Sequence, residues 1–211
     1  MADKIGILGS GDVGRALATG FARHGWDVLV GTRSPDELAA WAEEAGVAAG
    51  SFADAAGYGD VAVLAVRGDA VEDVLDLAGA ERFTGTLVLD ATNPLDFSTG
   101  DAHLLFGGTD SLGERVQATL ADAYVVKCFN TVSNAQMVDP EFEAETPPMF
   151  ICGDHTDAKA KTAEILADLG WPEVRDVGDI RSARYLEALV PLWVRLAGDL
   201  ETYGHAFTVV Q

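Results

Sequence analysis

Gly9-Ser10-Gly11-Asp12-Val13-Gly14 carries three glycines at the spacing Gly-x-Gly-x-x-Gly. That spacing has a use where a strand turns tightly into a helix. The first glycine permits the turn, the second lets a pyrophosphate approach the backbone, and the third lets helix and strand pack closely. Free amides at the helix N-terminus then face the phosphates. The flanking residues supply this context, because Lys4–Leu8 reads as a strand, Val13–His24 has helical apolar spacing, and Asp27–Gly31 reads as the next strand. The motif is read as a dinucleotide site.

The end of the second strand decides which dinucleotide. A site for the unphosphorylated form places Asp or Glu there to hold the ribose 2′-hydroxyl. This chain has Thr32-Arg33-Ser34 instead. A permanently charged guanidinium fork beside two hydroxyls suits a 2′-phosphate, so NADP(H) is the expected cofactor. Ser34-Pro35-Asp36-Glu37 also reads as a capping box with Pro at the first helical position, which competes for Ser34. Asp36 is the dissenting charge. Two later strand ends, Asn93-Pro94 and Asn130-Thr131, carry amides and a hydroxyl that can orient a planar ring, although ordinary turn chemistry explains such residues equally. Arg67 reads either as an anion contact or as a plain surface residue.

The four histidines are scattered without metal-ligand spacing, and Cys128 and Cys152 sit in apolar runs as small core residues. No metal site is expected. No nucleophile elbow or general acid–base set stands out either. Hydride transfer between two bound cofactors needs mainly proximity and orientation, which fits that absence.

These residues must be positioned by a scaffold. Further strands are expected at Val47–Gly50, Val61–Val66, Thr86–Ala91 and Tyr124–Phe129, with helices over Pro35–Ala45, Asp69–Ala78 and Ser111–Leu120. Runs such as Val61–Val66, apolar on both faces, belong to strands buried between helical layers. The fold class is therefore α/β, a Rossmann-like doubly wound parallel sheet. A small C-terminal α/β extension follows, with a strand at Met149–Cys152, a helix over Asp157–Leu169, a strand at Glu173–Val177 and a long helix over Ile180–Tyr203. The expected organisation is an NADP-binding domain over 1–140 and a segment over 141–211 that completes the cleft and supplies a dimer interface. In the last helix Leu186, Leu189, Trp193, Leu196, Leu200 and Tyr203 alternate at steps of three and four, the seam expected of a two-fold homodimer, and Pro191 is expected to kink it.

Composition bounds the partners. The chain has 211 residues, 48% apolar, and a formal charge of -20. That charge repels phosphate backbones and anionic headgroups, so neither nucleic acid nor a membrane surface is an expected partner. The longest apolar run is far too short to span a membrane, and a strand begins almost at Met1, so a soluble cytoplasmic protein is expected. Self-repulsion at -20 points to a halophilic, high-salt cytoplasm, where molar salt shortens the Debye length to about 3 Å.

The chain resembles the F420-dependent NADP reductases. The likeness rests on Ile5 to Gly14, Gly31-Thr-Arg-Ser34, Asp90-Ala-Thr-Asn-Pro-Leu95, Val126-Lys-Cys-Phe-Asn-Thr-Val132, and Ala183-Arg-Tyr-Leu-Glu187 with Leu192-Trp193. It implies an oxidoreductase that passes a hydride between NADP(H) and the deazaflavin coenzyme F420. It also implies NADP along Gly9–Gly14 and Thr32–Ser34, nicotinamide near Ala65 and Val66, and deazaflavin over Asn93-Pro94 and Asn130-Thr131. The Asn130-Thr131 turn also resembles the cytoplasmic domain of STEAP-type metalloreductases. That alternative uses FAD or FMN and reduces ferric or cupric ions. A non-catalytic NADPH-sensing module is the remaining reading.

Overall fold

The computed structural model describes residues 2–210. Strands β1 (Lys4–Leu8), β2 (Asp27–Gly31), β3 (Ala48–Gly50), β4 (Val61–Leu64), β5 (Leu87–Asp90) and β8 (Tyr124–Lys127) form one sheet in the order β3-β2-β1-β4-β5-β8. Every pairing in it is parallel. Strand order reverses between β1 and β4, and in such sheets ligands bind at that point, outside the carboxyl ends of the strands. A separate antiparallel pair, β6 (Leu95–Asp96) with β7 (His103–Leu104), lies between β5 and β8 in the chain.

Period-two alternation divides the strand side chains between two cores. Ile5, Ile7, Val28, Val63, Leu89 and Val126 join Leu17 and Phe21 of α1 (Asp12–Arg23) and Ile165 of α6 (Thr156–Asp168) in one cluster. Leu8, Ala62, Leu64, Val88 and Val125 join Phe52 of α3 (Phe52–Ala56), Leu75 of α4 (Val71–Ala78) and Val116 of α5 (Leu112–Thr119) in the other. Both faces of the sheet are thus covered, which explains why β4 reads as an unbroken apolar run. α1 ends at Arg23 with His24 as its C-cap, followed by Gly25 at φ +86°. The amides of Gly25 and Trp26 return to the carbonyls of Ala22 and Phe21, a glycine C-cap.

The C-terminal extension adds a parallel pair, β9 (Met149–Ile151) and β10 (Val174–Asp176), across which α6 packs. It joins the main sheet through one antiparallel bridge between Lys127 and Cys152. Met149, Ile151, Ile165, Leu166, Leu169 and Trp171 belong to the same apolar cluster as β1 and α1, so the core is continuous across residue 140. The last helix, α7 (Ala183–Leu200), runs through Pro191 as one uninterrupted element. No helix among the described residues is long and apolar enough to cross a membrane.

Several sequence expectations need correction. The strands end earlier at their carboxyl ends than the apolar runs do: β4 stops at Leu64, β5 at Asp90 and β8 at Lys127. The first residue beyond each still donates to the neighbouring strand, Ala65 N to Leu8 O, Ala91 N to Leu64 O and Cys128 N to Asp90 O, and Ala65, Val66 and Ala91 line the cleft. The capping box expected at Ser34 does not form. Ser34 is the N-cap of α2 (Pro35–Ala45), but its side chain makes no cap bond. The box occurs at the unforeseen α3, where Asp54 N donates to Ser51 Oγ at 3.1 Å and Ser51 N to Asp54 Oδ2 at 2.9 Å. The seam on α7 is only partly free for a partner. Leu186 and Trp193 are buried within their own subunit, together with Ala183, Glu187, Val190 and Ala197. The side of α7 left exposed carries Tyr185, Leu192 and Leu200.

Candidate functional site

The carboxyl ends of β1, β2, β4 and β5 open into a cavity of about 1270 Å³. Gly9, Ser10, Gly11, Asp12, Val13, Thr32, Arg33, Ala65, Val66 and Asn93 all line it. The three glycines of the turn have three different reasons to be there. A Cβ on Gly9 would stand 2.2 Å from Ala65 O, and one on Gly14 2.0 Å from Gly9 O. Gly9 also has φ +132°, a conformation that L side chains rarely adopt. Gly11 has φ −76° and ψ −173°, open to any residue, and a Cβ there would meet no protein atom within 4 Å. The fold requires Gly9 and Gly14 but places no demand on Gly11. The free space at Gly11 faces whatever occupies the cavity, and a pyrophosphate fits it. No side chain caps α1.

At the β2 end, Ser10 Oγ donates to Thr32 Oγ1 at 3.2 Å, tying the glycine turn to the next strand. Arg33 is exposed, and among the described residues no carboxylate lies within ion-pair distance of it. Asp36 and Glu37 stand in the first turn of α2 and do not line the cavity. Ser34 does not line it either.

Asn93 and Asn130 are brought together across β5 and β8. Asn93 Nδ2 donates to Asn130 O at 2.9 Å, and Asn130 Nδ2 donates to Asn93 Oδ1 at 3.0 Å. These bonds orient both amides and leave Asn130 Oδ1 buried without a partner. Phe129, just before it, holds φ +63° while fully buried, which is backbone strain at a strand end in the site. Asn130 and Thr131 are each 4% exposed and support the loop rather than line the cavity. Pro94 likewise is not a lining residue.

Beneath these loops lies a charge cluster that the sequence did not disclose. Lys127 Nζ is 2.9 Å from Asp90 Oδ2 and 2.8 Å from Glu187 Oε1, with both lysine and aspartate side chains fully buried. Asp90 Oδ1 also accepts from the backbone and hydroxyl of Thr92 at 2.9 and 2.6 Å. Glu187, on α7, accepts from the amides of Leu112 and Gly113 at the start of α5, both at 2.9 Å. Burial works against the charge on Lys127, but the two carboxylates outweigh it and raise the lysine pKa. All four carboxylate oxygens have partners. Only the tertiary fold could reveal this, since Glu187 is 60 residues from Lys127.

A second cavity, of about 560 Å³, shares Val13 with the first. Val132–Ala135 and Trp193 line it, as do Thr202–Gly204 of the tail after α7. The tail is fastened there by Trp193 Nε1 donating to His205 O at 2.9 Å, with the two rings stacked at 4.8 Å. Ser133 Oγ, on the same wall, is buried without a partner.

Apart from Arg67, weighed as an anion contact, sequence reasoning missed the other half of the large cavity. The loop after β4 contributes Arg67, Gly68 and Asp69, and the β6–β7 pair contributes Leu95, Phe97 and Leu105. Gly68 was the readable signal, because a Cβ there would meet Asn93 O at 2.1 Å. Arg67 is neutralised by Asp69 through a two-pronged contact. The thiols of Cys128 and Cys152 are buried and free; desolvation raises both pKa values, that of Cys152 to about 12. No group of three or more metal-ligating side chains comes together among the described residues.

Residues 4–94 match the profile of the family described as "NADP oxidoreductase coenzyme F420-dependent". A crystal structure of a candidate F420-dependent NADP reductase from Arthrobacter sp. FB24 superposes with a TM-score of 0.95 at 38% identity, covering 100% of both chains. The F420-dependent NADP reductase of Methanocaldococcus jannaschii is 28% identical over 92% of this chain and 92% of its own. The metalloreductase STEAP3 of Rattus norvegicus is 30% identical over 91% of this chain, which spans only 38% of that protein. The likeness to the reductase runs over nearly the full length of both chains, whereas the likeness to the metalloreductase covers one part of a longer protein. The chain belongs to the family of coenzyme F420-dependent NADP oxidoreductases.

Proposed function

We propose that the protein transfers a hydride between NADP(H) and coenzyme F420. The observation that carries this reading is the uncapped N-terminus of α1, with open space at Gly11, on a cavity that runs to Arg33. Bound together, the two cofactors supply a hydride donor and a two-electron acceptor. The chain's own task is to bind and align them. The amides of the α1 first turn receive the pyrophosphate. Thr32 and Arg33 receive the 2′-phosphate, and the nicotinamide end lies toward Ala65, Val66 and Asn93. Asn130 and Thr131 would hold the loop on the acceptor side, and Val13 lines both cavities.

In this reading residues 1–140 form the NADP-binding domain. Residues 141–211 close the cleft, since Trp193 and the tail wall the second cavity. The protein works as a homodimer in a salt-rich cytoplasm, with the outer face of α7, at Tyr185, Leu192 and Leu200, as the subunit contact. The -20 charge on each subunit then makes association depend on salt. Light scattering in molar KCl tests this: Leu192→Asp should give monomers from a dimeric wild type, and a monomeric wild type removes the dimer.

Cofactor choice is tested by following NADPH absorbance in molar KCl with F420 or with FMN. Turnover with F420 is expected. Turnover with FMN alone moves the chain to the flavin-using STEAP-like reading, and turnover with neither leaves a sensing module. Arg33→Asp should weaken NADPH binding roughly ten- to hundred-fold, the worth of one charged hydrogen-bonded contact, and NADH binding far less.

A further inference from the structure

Seven of the ten arginines pair with a carboxylate within 4 Å. Among the described residues Arg15, Arg33 and Arg82 do not. In a chain with 34 acidic residues, an unneutralised arginine is the exception. Arg82 precedes β5, at the end of the sheet away from the cleft. The other two stand on either side of one contact at the cleft. Arg15 Nε donates to Ser10 O at 2.9 Å, Ser10 Oγ donates to Thr32 Oγ1 at 3.2 Å, and Arg33 follows Thr32.

Arg15 is held on two sides. Besides the bond to Ser10, its guanidinium carbon lies 4.8 Å from the centre of the half-buried Trp41 ring. Both contacts leave the terminal Nη groups free of any carboxylate. A guanidinium already pinned in place loses little conformational freedom when it binds an anion. The first turn of α2 adds two acidic residues just after Arg33, so one arginine alone leaves this corner without net positive charge.

We propose that Arg15 is a second cation of the 2′-phosphate site and, with Arg33, sets the preference for the phosphorylated dinucleotide. This rests on the NADP reading above. Arg15 acts from α1 and Arg33 from the end of β2, two elements that only the fold places together. The ligand group is a dianionic monoester phosphate, for which two planar forks offer complementary donors.

Calorimetric titration of the full chain with NADP+ and with NAD+, at one fixed salt concentration, tests the assignment. Arg15→Gln should weaken NADP+ binding about tenfold and NAD+ binding less than twofold. Arg15→Lys should recover part of the loss, because it keeps the charge without the planar fork. Equal weakening of both ligands would overturn the proposal, placing Arg15 on the shared pyrophosphate or in the scaffold. So would a wild type that prefers NADP+ and a variant that prefers it just as strongly. A wild type with no preference would instead remove the NADP reading itself, and this inference with it.

Discussion

Two helices begin near the carboxyl end of the sheet, and their N-termini are treated in opposite ways. α5 is saturated by its own chain: Ser111 Oγ accepts from Glu114 N at 3.2 Å, and Glu187 covers the amides of Leu112 and Gly113. α1 has no side-chain cap, and the residue before its first turn is a glycine with empty space where a Cβ would be. Both termini present the same amides and the same positive end of a helix dipole. At α5 the anion is internal, a carboxylate tied to a buried lysine. At α1 the anion is left to a ligand. A helix start is thus a site or a strut according to whether the chain supplies its own negative group.

Five experiments sharpen or break this contrast, starting from the largest effect. Lys127→Met should cost about 3–5 kcal/mol in urea unfolding, because it strands two buried carboxylates. A loss below about 1 kcal/mol would mean that water or rearrangement already satisfies them. Gly11→Ala should do the reverse. Its stability should stay within about 0.5 kcal/mol of wild type, while NADPH affinity falls at least about a hundredfold. Normal NADPH binding by that variant would reduce the glycine turn to a structural feature.

Ser111→Ala should cost about 1 kcal/mol, the usual worth of an N-cap, and leave cofactor affinity unchanged. Acid should act on the same terminus. Arg184 hydrogen-bonds Glu114 and holds its carboxyl below the ordinary glutamate value. Since the folded pKa is the lower one, the stability is present above the unfolded value of about 4.3 and is lost as pH falls through the folded one. Arg184→Ala should therefore flatten the acid limb of the stability profile, and an unchanged limb would remove Glu114 from it. The smallest effect is expected for Ser34→Ala, within about 0.5 kcal/mol, because Ser34 makes no cap bond; Ser51→Ala should cost about 1 kcal/mol. Equal costs at the two serines would show that the box forms at Ser34 after all.

Local chemistry was legible wherever one segment decides its own structure. The glycine turn, the bounds of β1, β2 and α2, and the doubly wound order follow from periodicity, chirality and the short-range demands of glycine and proline. The Arg33 end of β2 could be read for the same reason, since it is one residue type at one strand end. What could not be read was set by residues distant in sequence. The Asp90–Lys127–Glu187 cluster joins two strands to the last helix, and the β6–β7 pair enters the cavity from a stretch with almost no periodicity. On α7 the sequence determined an apolar stripe but not its partner. Only packing decided that Leu186 and Trp193 belong to the subunit's own interior, because apolar burial is non-directional and a stripe carries no mark of the surface that will cover it.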